Sequence, residues 1–359
     1  MREKDTVVFI TEGRSTSEKL IAEELSSDAA YLGVIVPADK LIPFGRIIRA
    51  KINRFLKLFV WRPISIILSK FTKRIKPVQT PVYYNALSKM RVHNMLFRFS
   101  PKAIVVSDPN TLYALKEILG RTAQKADLYV YGDNLGLDYG LADKEIKHFF
   151  VDNYVIRENL LKQGVFAEHI TVEPLPVKKK YFEERAQIDS KRNLGFDEKT
   201  NLTLLCPNKK NYRKLLDFAE TNGSLGSYAV LTDNADIQVY AESKKIVSFD
   251  KSVRNEEIFN ASDVVISAYD GYLIKRVAAR GKGTIVFGDC GAYADTAAVL
   301  EGEKHIKVVR STEELGEALM QYYNHELVFV PDETSADSAS KIAREITKLV
   351  KQDGKKAEE

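Results

Sequence analysis

Short apolar runs alternate with helical stretches along almost the whole chain, and residues 257–301 show the alternation most clearly. A short helix is expected first, then a strand at Val264-Val265-Ile266 entered from Asp263, then a tight polar turn from Ser267 to Gly271. A helix over about Tyr272 to Arg280, a strand from Thr284 to Phe287, a Gly-containing loop and a helix from Tyr293 follow. Apolar runs of four or five residues separated by helical pattern predict a parallel α/β sheet. Ligands of such sheets sit beyond the carboxyl ends of the strands, where helices begin and backbone N–H groups favour phosphate. This stretch is therefore the expected nucleotide site.

The same alternation predicts strands at Val7–Thr11, Tyr31–Val36, Ile104–Val106, Leu128–Tyr131, His148–Val151 and Ile170–Val172 in the first half. In the second half it predicts Leu202–Leu205, Tyr228–Leu231, Ile246–Ser248, Val264–Ile266, Thr284–Phe287 and Ile306–Val309. Helices are expected at Ser15–Leu25, from Thr80-Pro81 with Tyr83, Leu87, Met90 and Met95 as its apolar side, and at Thr111–Leu119 and Tyr154–Lys162. Two more are expected at Glu313–Tyr323 and about Ala336–Lys351. Residues 1–176 and 201–335 thus read as two α/β domains, 177–200 as their charged connection, and 336–359 as a C-terminal helix with a loose tail.

Residues 46–76 hold ten Lys/Arg and no Asp/Glu. Ile48, Ile52, Phe55 and Phe59 recur at helical spacing, Arg46, Arg49, Arg54 and Lys57 take other positions, and Trp61 stands before Pro63. A basic helix with an apolar, aromatic face describes a segment lying in an anionic membrane interface. A pair of core-packed helices with solvated charge gives the same pattern. No nucleic-acid motif accompanies the charge, and the net charge of +5 is modest, so nucleic acid is not an expected partner.

Other chemistry is sparse. Gly-x-Gly-x-x-Gly and Gly-Lys-Ser/Thr loops are absent. Cys206 and Cys290 stand at or just past strand ends, without metal-ligand company, and five scattered histidines make no zinc pattern; His148 and His169 read as packed or surface residues. The opening MREKDT runs straight into VVFIT, too short an apolar run for a signal peptide, and no run reaches 18 uncharged apolar residues.

Two long stretches carry a resemblance. DNYVIRENLLKQGVFAEHITVEPLPVKKKYF resembles the segment that closes the first domain of GT-B glycosyltransferases. IVSFDKSVRNEEIFNASDVVISAYDGYLIKRVAARGKGTIVF resembles their donor-binding core, and the order of motifs is similar to that of monogalactosyldiacylglycerol synthase, processive diacylglycerol glucosyltransferase and the peptidoglycan enzyme that glycosylates lipid I. The resemblance implies two Rossmann-like domains with a central cleft. It implies transfer of a sugar from a UDP-sugar to a lipid or lipid-linked acceptor on the cytoplasmic membrane face, with no bound metal or cofactor. Asp270, Gly271 and Tyr272 would meet the diphosphate, Phe249 the base, and Asn208 and Lys209 the other side of the donor. Glu12 would sit at the first-domain lip and Asp133 opposite the donor, as carboxylates able to take the acceptor proton. A turn or N-cap role for Asp133 stands beside that reading.

The departures are specific. Glu12-Gly13-Arg14-Ser15-Thr16 and Gly132-Asp133-Asn134-Leu135 lack the family's histidines, and Pro207-Asn208-Lys209-Lys210-Asn211 replaces its glycine loop. Arg276 stands where the family has a ribose-holding glutamate, Gly283 replaces a proline, and Ala292-Tyr293 replace a Gln-Glu pair. Arg276 reads either as a new phosphate or carboxylate contact or as a solvent-exposed helical arginine. The alternative to an enzyme is a catalytically inactive GT-B protein that serves as a partner or glycan-binding subunit of a second glycosyltransferase subunit. A sugar-nucleotide epimerase of similar architecture is a third reading, though such a site is expected to need more acidic and histidine groups.

Overall fold

The computed structural model describes residues 4–11, 16–41, 86–107, 109–120, 126–132, 145–251, 255–288, 302–330 and 336–356. The chain divides into two compact units, Met1–Pro176 with Asp337–Glu359, and Val177–Ala336.

The first unit is a parallel six-stranded sheet in the order β2-β1-β3-β4-β5-β6, with β1 (Asp5–Thr11), β2 (Tyr31–Pro37), β3 (Ala103–Val106), β4 (Asp127–Gly132), β5 (Ile146–Val151) and β6 (Ile170–Val172). Its helices are α1 (Ser17–Ser27), α2 (Ala38–Leu41), α3 (Ala86–Phe99), α4 (Pro109–Leu119) and α5 (Tyr154–Lys162). Because side chains alternate across a strand, Val8 and Ile10 join the core under α3, α4 and α5, through Leu96, Leu115 and Leu160. α1 lies close on β2: a Cβ at Gly33 would come within 2.6 Å of the Ala22 carbonyl oxygen. Met95 on α3 is buried as expected, whereas Met90 is exposed, because the core-facing stripe runs through Val92 and Leu96 instead.

The second unit is also a parallel six-stranded sheet, ordered β12-β11-β10-β7-β8-β9. Its strands are β7 (Leu202–Cys206), β8 (Ser227–Leu231), β9 (Val247–Phe249), β10 (Val264–Ser267), β11 (Gly283–Phe287) and β12 (Ile306–Val309). Its helices are α6 (Gln187–Asn193), α7 (Tyr212–Thr221), α8 (Ala235–Ser243), α9 (Asn255–Ala261), α10 (Gly271–Ala278) and α11 (Thr312–Tyr323). α7, α8 and α11 cover one face through Leu215, Ile237 and Leu319. α9 and α10 cover the other through Phe259, Leu273 and Val277. Residues 177–200, expected as a connection, fold onto this second face: Val177 and Tyr181 enter its core, and Leu194 and Phe196 pack against it. Gly283 is dictated by packing, since any Cβ there would lie within 1.9 Å of the Phe329 ring.

One carboxylate binds the amino ends of this sheet. Asp263, just before β10, accepts from Leu202 N at 2.7 Å, from Lys191 Nζ at 2.9 Å and from Gln187 Nε2 at 2.8 Å. Its backbone N–H donates to Leu202 O at 2.8 Å, and its backbone carbonyl accepts from Tyr322 OH at 2.8 Å. β7, β10, α6 and α11 thereby meet at one residue.

The last helix, α12 (Ser338–Lys356), belongs to the first unit and runs beyond the expected end at Lys351. It packs on α1; Lys351 lies over the Tyr31 ring at 5.8 Å and Lys341 pairs with Glu173 at 3.0 Å. His148 on β5 is 3% exposed, bonds Thr171 Oγ1 through Nε2 at 2.8 Å and packs on Phe150 at 4.9 Å. Burial pulls its imidazole down to about 4, against Glu345 and with help from His169 and Lys348.

Two outcomes follow from these contacts. Asp263→Ala strands Lys191, whose side chain is 6% exposed, and is expected to cost about 3 kcal/mol. Hydrogen exchange of the β7 and β10 amides in the full chain reads that loss. His148 is neutral when folded but takes a proton when unfolded below its ordinary value of 6.5. Its contribution is fully present above that pH and is lost as pH falls toward about 4, on the order of 3 kcal/mol. A pH series of urea melts checks it: His148→Phe flattens the slope in this window.

Candidate functional site

The order of the second sheet reverses between β7 and β10, which makes their carboxyl ends the expected ligand crevice of this unit. β7 ends at Cys206 and leads into residues 207–211; β10 ends at Ser267 and leads, through Asp270, into α10. β9, the edge strand two places from β7, ends at Phe249. Asn208, Lys209, Phe249, Asp270, Gly271 and Tyr272 therefore stand at or just beyond the carboxyl edge of one sheet, and Arg276, the seventh candidate donor-binding residue, lies in the second turn of α10.

Asp270 has extended backbone, φ −152°, and its Oδ1 accepts from Leu273 N at 3.0 Å. That N-cap starts α10 within three residues of β10 and aims its first turn at the crevice. The loop after β7 is shaped from within. Asn208 Oδ1 accepts from Lys210 N at 2.8 Å and Asn211 N at 3.1 Å, while Asn211 Oδ1 accepts from Asn208 N at 2.9 Å. The Asn208 amide oxygen is thus committed to the turn that launches α7, and Lys209 and Lys210 are exposed beside it. Phe249 is half-buried against Phe196, with ring centroids 6.2 Å apart, and its carbonyl accepts from Thr232 N at 2.9 Å.

Arg276 is not a solvated helical arginine. Its guanidinium carbon lies 4.9 Å from the Tyr272 ring centroid, 5.4 Å from Phe259 and 5.8 Å from Tyr181. Nη1 reaches Tyr181 OH at 3.5 Å, and Nε is buried without a hydrogen-bond partner. Its neighbour Arg280 instead caps backbone, donating to Lys180 O at 2.8 Å and to Glu183 O. Burial pushes the Cys206 thiol up to about 12, opposed by the charges of Lys251 and Arg276 and reinforced by Asp270. This thiol is a packed group and not a nucleophile. Lys251, half-buried two residues past β9, is a residue that sequence reasoning missed, since no motif marks it.

In the first unit the sheet order reverses between β1 and β3. Glu18, 1% exposed in the first turn of α1, accepts from Ser107 Oγ at 2.7 Å there, tying α1 to the end of β3. Glu12 and Asp133 lie outside the described residues, as do Cys290, the Ala292-Tyr293 pair and the expected helix from Tyr293. So do residues 46–76, with Arg46, Arg49, Arg54, Phe55, Lys57, Phe59 and Trp61. Among the described residues no group of three or more His, Cys, Asp or Glu side chains is placed to hold a metal ion, and no helix is long and apolar enough to cross a membrane.

A separate cavity of about 690 Å³ lies between α7 and α11, lined by Lys214, Asp217, Phe287, Arg310 and Glu313 among others. The α11 terminus beside it is closed by its own cap: Ser311 Oγ accepts from Glu314 N at 3.2 Å, and Glu314 Oε2 accepts from Arg310 N at 2.7 Å. Charges of both signs and an occupied helix end make it a poorer anion site than the switch point.

No protein-family model matches the sequence, and no curated protein matches it either. Solved structures do match over nearly full length. The UDP-GlcNAc 2-epimerase of Neisseria meningitidis, bound to UDP-GlcNAc, is 15% identical, with a TM-score of 0.60 over 96% of this chain and 100% of that one. S. aureus MnaA with UDP is 10% identical, with a TM-score of 0.64 over 97% of each chain. The lipopolysaccharide outer core galactosyltransferase WaaB is 12% identical, with a TM-score of 0.54 over 94% of each. With two parallel six-stranded sheets and interleaved helices, the chain has the GT-B fold.

Asp270→Ala removes the cap of α10 and is expected to cost about 1 kcal/mol of local stability. Faster amide exchange confined to the first turn of α10 is the sign to look for; unchanged exchange there contradicts the capping role.

Proposed function

We propose that the chain is a glycosyltransferase of the type represented by the monogalactosyldiacylglycerol synthase and processive diacylglycerol glucosyltransferase family. In this reading it moves a sugar from a UDP-linked donor to a lipid or lipid-linked acceptor, as a peripheral protein on the cytoplasmic membrane face. The observation that carries the donor half is the switch point of the second unit, where β7 and β10 end side by side and the capped start of α10 follows β10. The neighbours solved with UDP or UDP-GlcNAc support a nucleotide ligand.

The chemistry asks two things of the residues. As the bond from sugar to diphosphate breaks, negative charge grows on the leaving group, and the α10 terminus and nearby cations stabilise it. A carboxylate, Asp133 or Glu12, takes the proton of the acceptor hydroxyl. No step requires a resident metal or cofactor. The membrane half rests on residues 46–76 and on α3, where Met90 and Phe97 are 53% and 76% exposed, seven residues apart on a helix without Asp or Glu.

The substitution of a cation at Arg276 favours a second reading, a non-catalytic GT-B subunit that binds a glycan or a partner glycosyltransferase. Likeness to an epimerase keeps a third reaction in view, because fold does not fix chemistry. Calorimetry with UDP and UDP-glucose is expected to show micromolar binding, about −8 kcal/mol. Incubation with UDP-glucose or UDP-GlcNAc and anionic vesicles is then expected to yield a glycolipid. Binding without transfer favours the subunit, isomerisation of UDP-GlcNAc favours the epimerase, and no nucleotide-sugar binding contradicts the enzyme reading.

A further inference from the structure

The last helix carries its cations in a row. Lys341, Arg344, Lys348 and Lys351 are all exposed, at spacings of three and four residues that set them along one side of α12. Ile342, Ile346 and Val350 are buried on the side that packs on α1. Glu345 is the one acid among residues 338–352.

Three of these cations border one recess. Arg344, Lys348 and Lys351, with Thr347 and Gln352, line a cavity of about 340 Å³. Lys348 Nζ pairs with Glu345 at 3.1 Å, and Lys351 Nζ lies 5.8 Å from the centroid of the Tyr31 ring, so both are held in place. Lys341 pairs instead with Glu173 at 3.0 Å and takes no part in the lining. Among the described residues no carboxylate pairs with Arg344 or Lys351. The recess therefore sets three positive charges against one carboxylate. The Thr347 hydroxyl is spent on the Ala343 carbonyl at 3.0 Å, which leaves the Gln352 amide as a further donor. A guanidinium fork matches two oxygens of a phosphate, and an ammonium adds a point charge.

We infer that this recess on α12 is a binding site for a phosphate group, separate from the nucleotide crevice of the second unit. Its place in the first unit bears on the source of that phosphate. Gly33 of β2 meets α1, while Val34 and Val36 pack into the core under α3. Neighbouring strand residues point to opposite faces, so α1 and α12 cover the side of the sheet away from α3. On the reading of α3 as membrane-facing, a flat bilayer touching Met90 and Phe97 does not reach the recess. A soluble phosphate compound is then the ligand it fits, and a phospholipid headgroup is the other source of the same chemistry. After the second unit the chain returns to the first through α12, and a ligand bridging Arg344 and Lys351 braces that helix. The competing account is a solvated basic face with no site.

Calorimetry on the full chain tests this with inorganic pyrophosphate, under saturating UDP to fill the nucleotide crevice. The proteins are the native chain, Arg344→Gln, Lys351→Gln and Lys341→Gln. Co-sedimentation with vesicles of phosphatidylglycerol or phosphatidylcholine is the second arm. All three substituted side chains are exposed, and amide exchange of α12 without ligand checks that the helix is intact. The site predicts that pyrophosphate binds the native protein and slows exchange in α12. Its affinity falls about tenfold or more in Arg344→Gln and Lys351→Gln, and by no more than about twofold in Lys341→Gln. Equal pyrophosphate affinity in all four proteins, or equal weakening in all three variants, overturns the recess in favour of diffuse surface charge. Phosphatidylglycerol binding that both recess variants abolish, without pyrophosphate binding, upholds the phosphate chemistry and makes the headgroup its source. No pyrophosphate binding, with vesicle binding indifferent to the variants, overturns the site. Absence of UDP binding contradicts the nucleotide reading alone, since the comparison among the variants still decides the recess.

Discussion

The second unit depends on how Asp263 holds the amino ends of β7 and β10. Its carboxylate and backbone join both strands, α6 and α11, with Lys191 as the buried counter-charge. These two strands flank the point where the sheet order reverses. Locking their register at one end fixes where Cys206 and Ser267 finish at the other. The positions of Asn208, Asp270 and Arg276 follow from that, because each is within nine residues of a pinned strand end. The Asp263–Lys191 ion pair thus stands at the opposite end of the two strands from Asn208 and Asp270.

The two edges use charge in opposite ways. At Asp263 each carboxylate oxygen has a donor: Oδ2 takes Lys191 Nζ and Leu202 N, and Oδ1 takes the Gln187 side-chain amide. At the carboxyl edge the Arg276 guanidinium lies among the rings of Tyr272, Phe259 and Tyr181, and among the described residues no carboxylate forms an ion pair with it.

The strands were legible in the sequence because each is a compact apolar run between polar turns, and both sheets formed where the alternation placed them. α6 was not, because its residues Gln187–Asn193 are mostly polar and its contribution comes from Gln187 and Lys191 bonding to distant groups. The packing of residues 177–200 was hidden for a similar reason: charge surrounds the few apolar anchors, Val177, Tyr181, Leu194 and Phe196. Gly283 had a cause that no local pattern carries, a ring from Phe329. Of the candidate site, α10 and its Asp270 cap could be read from a turn before a helical period. The cage around Arg276 could not, since its rings come from residues 181, 259 and 272, far apart in sequence.

The central claim is that the second unit binds a nucleotide diphosphate at the carboxyl ends of β7 and β10. A crystal structure of the full chain grown with UDP tests it most directly. The account predicts phosphate oxygens within hydrogen-bond distance of the Gly271-Tyr272 backbone or of Arg276, with the base beside Phe249. Nucleotide density seated instead in the cavity between α7 and α11, with Arg276 untouched, would contradict it.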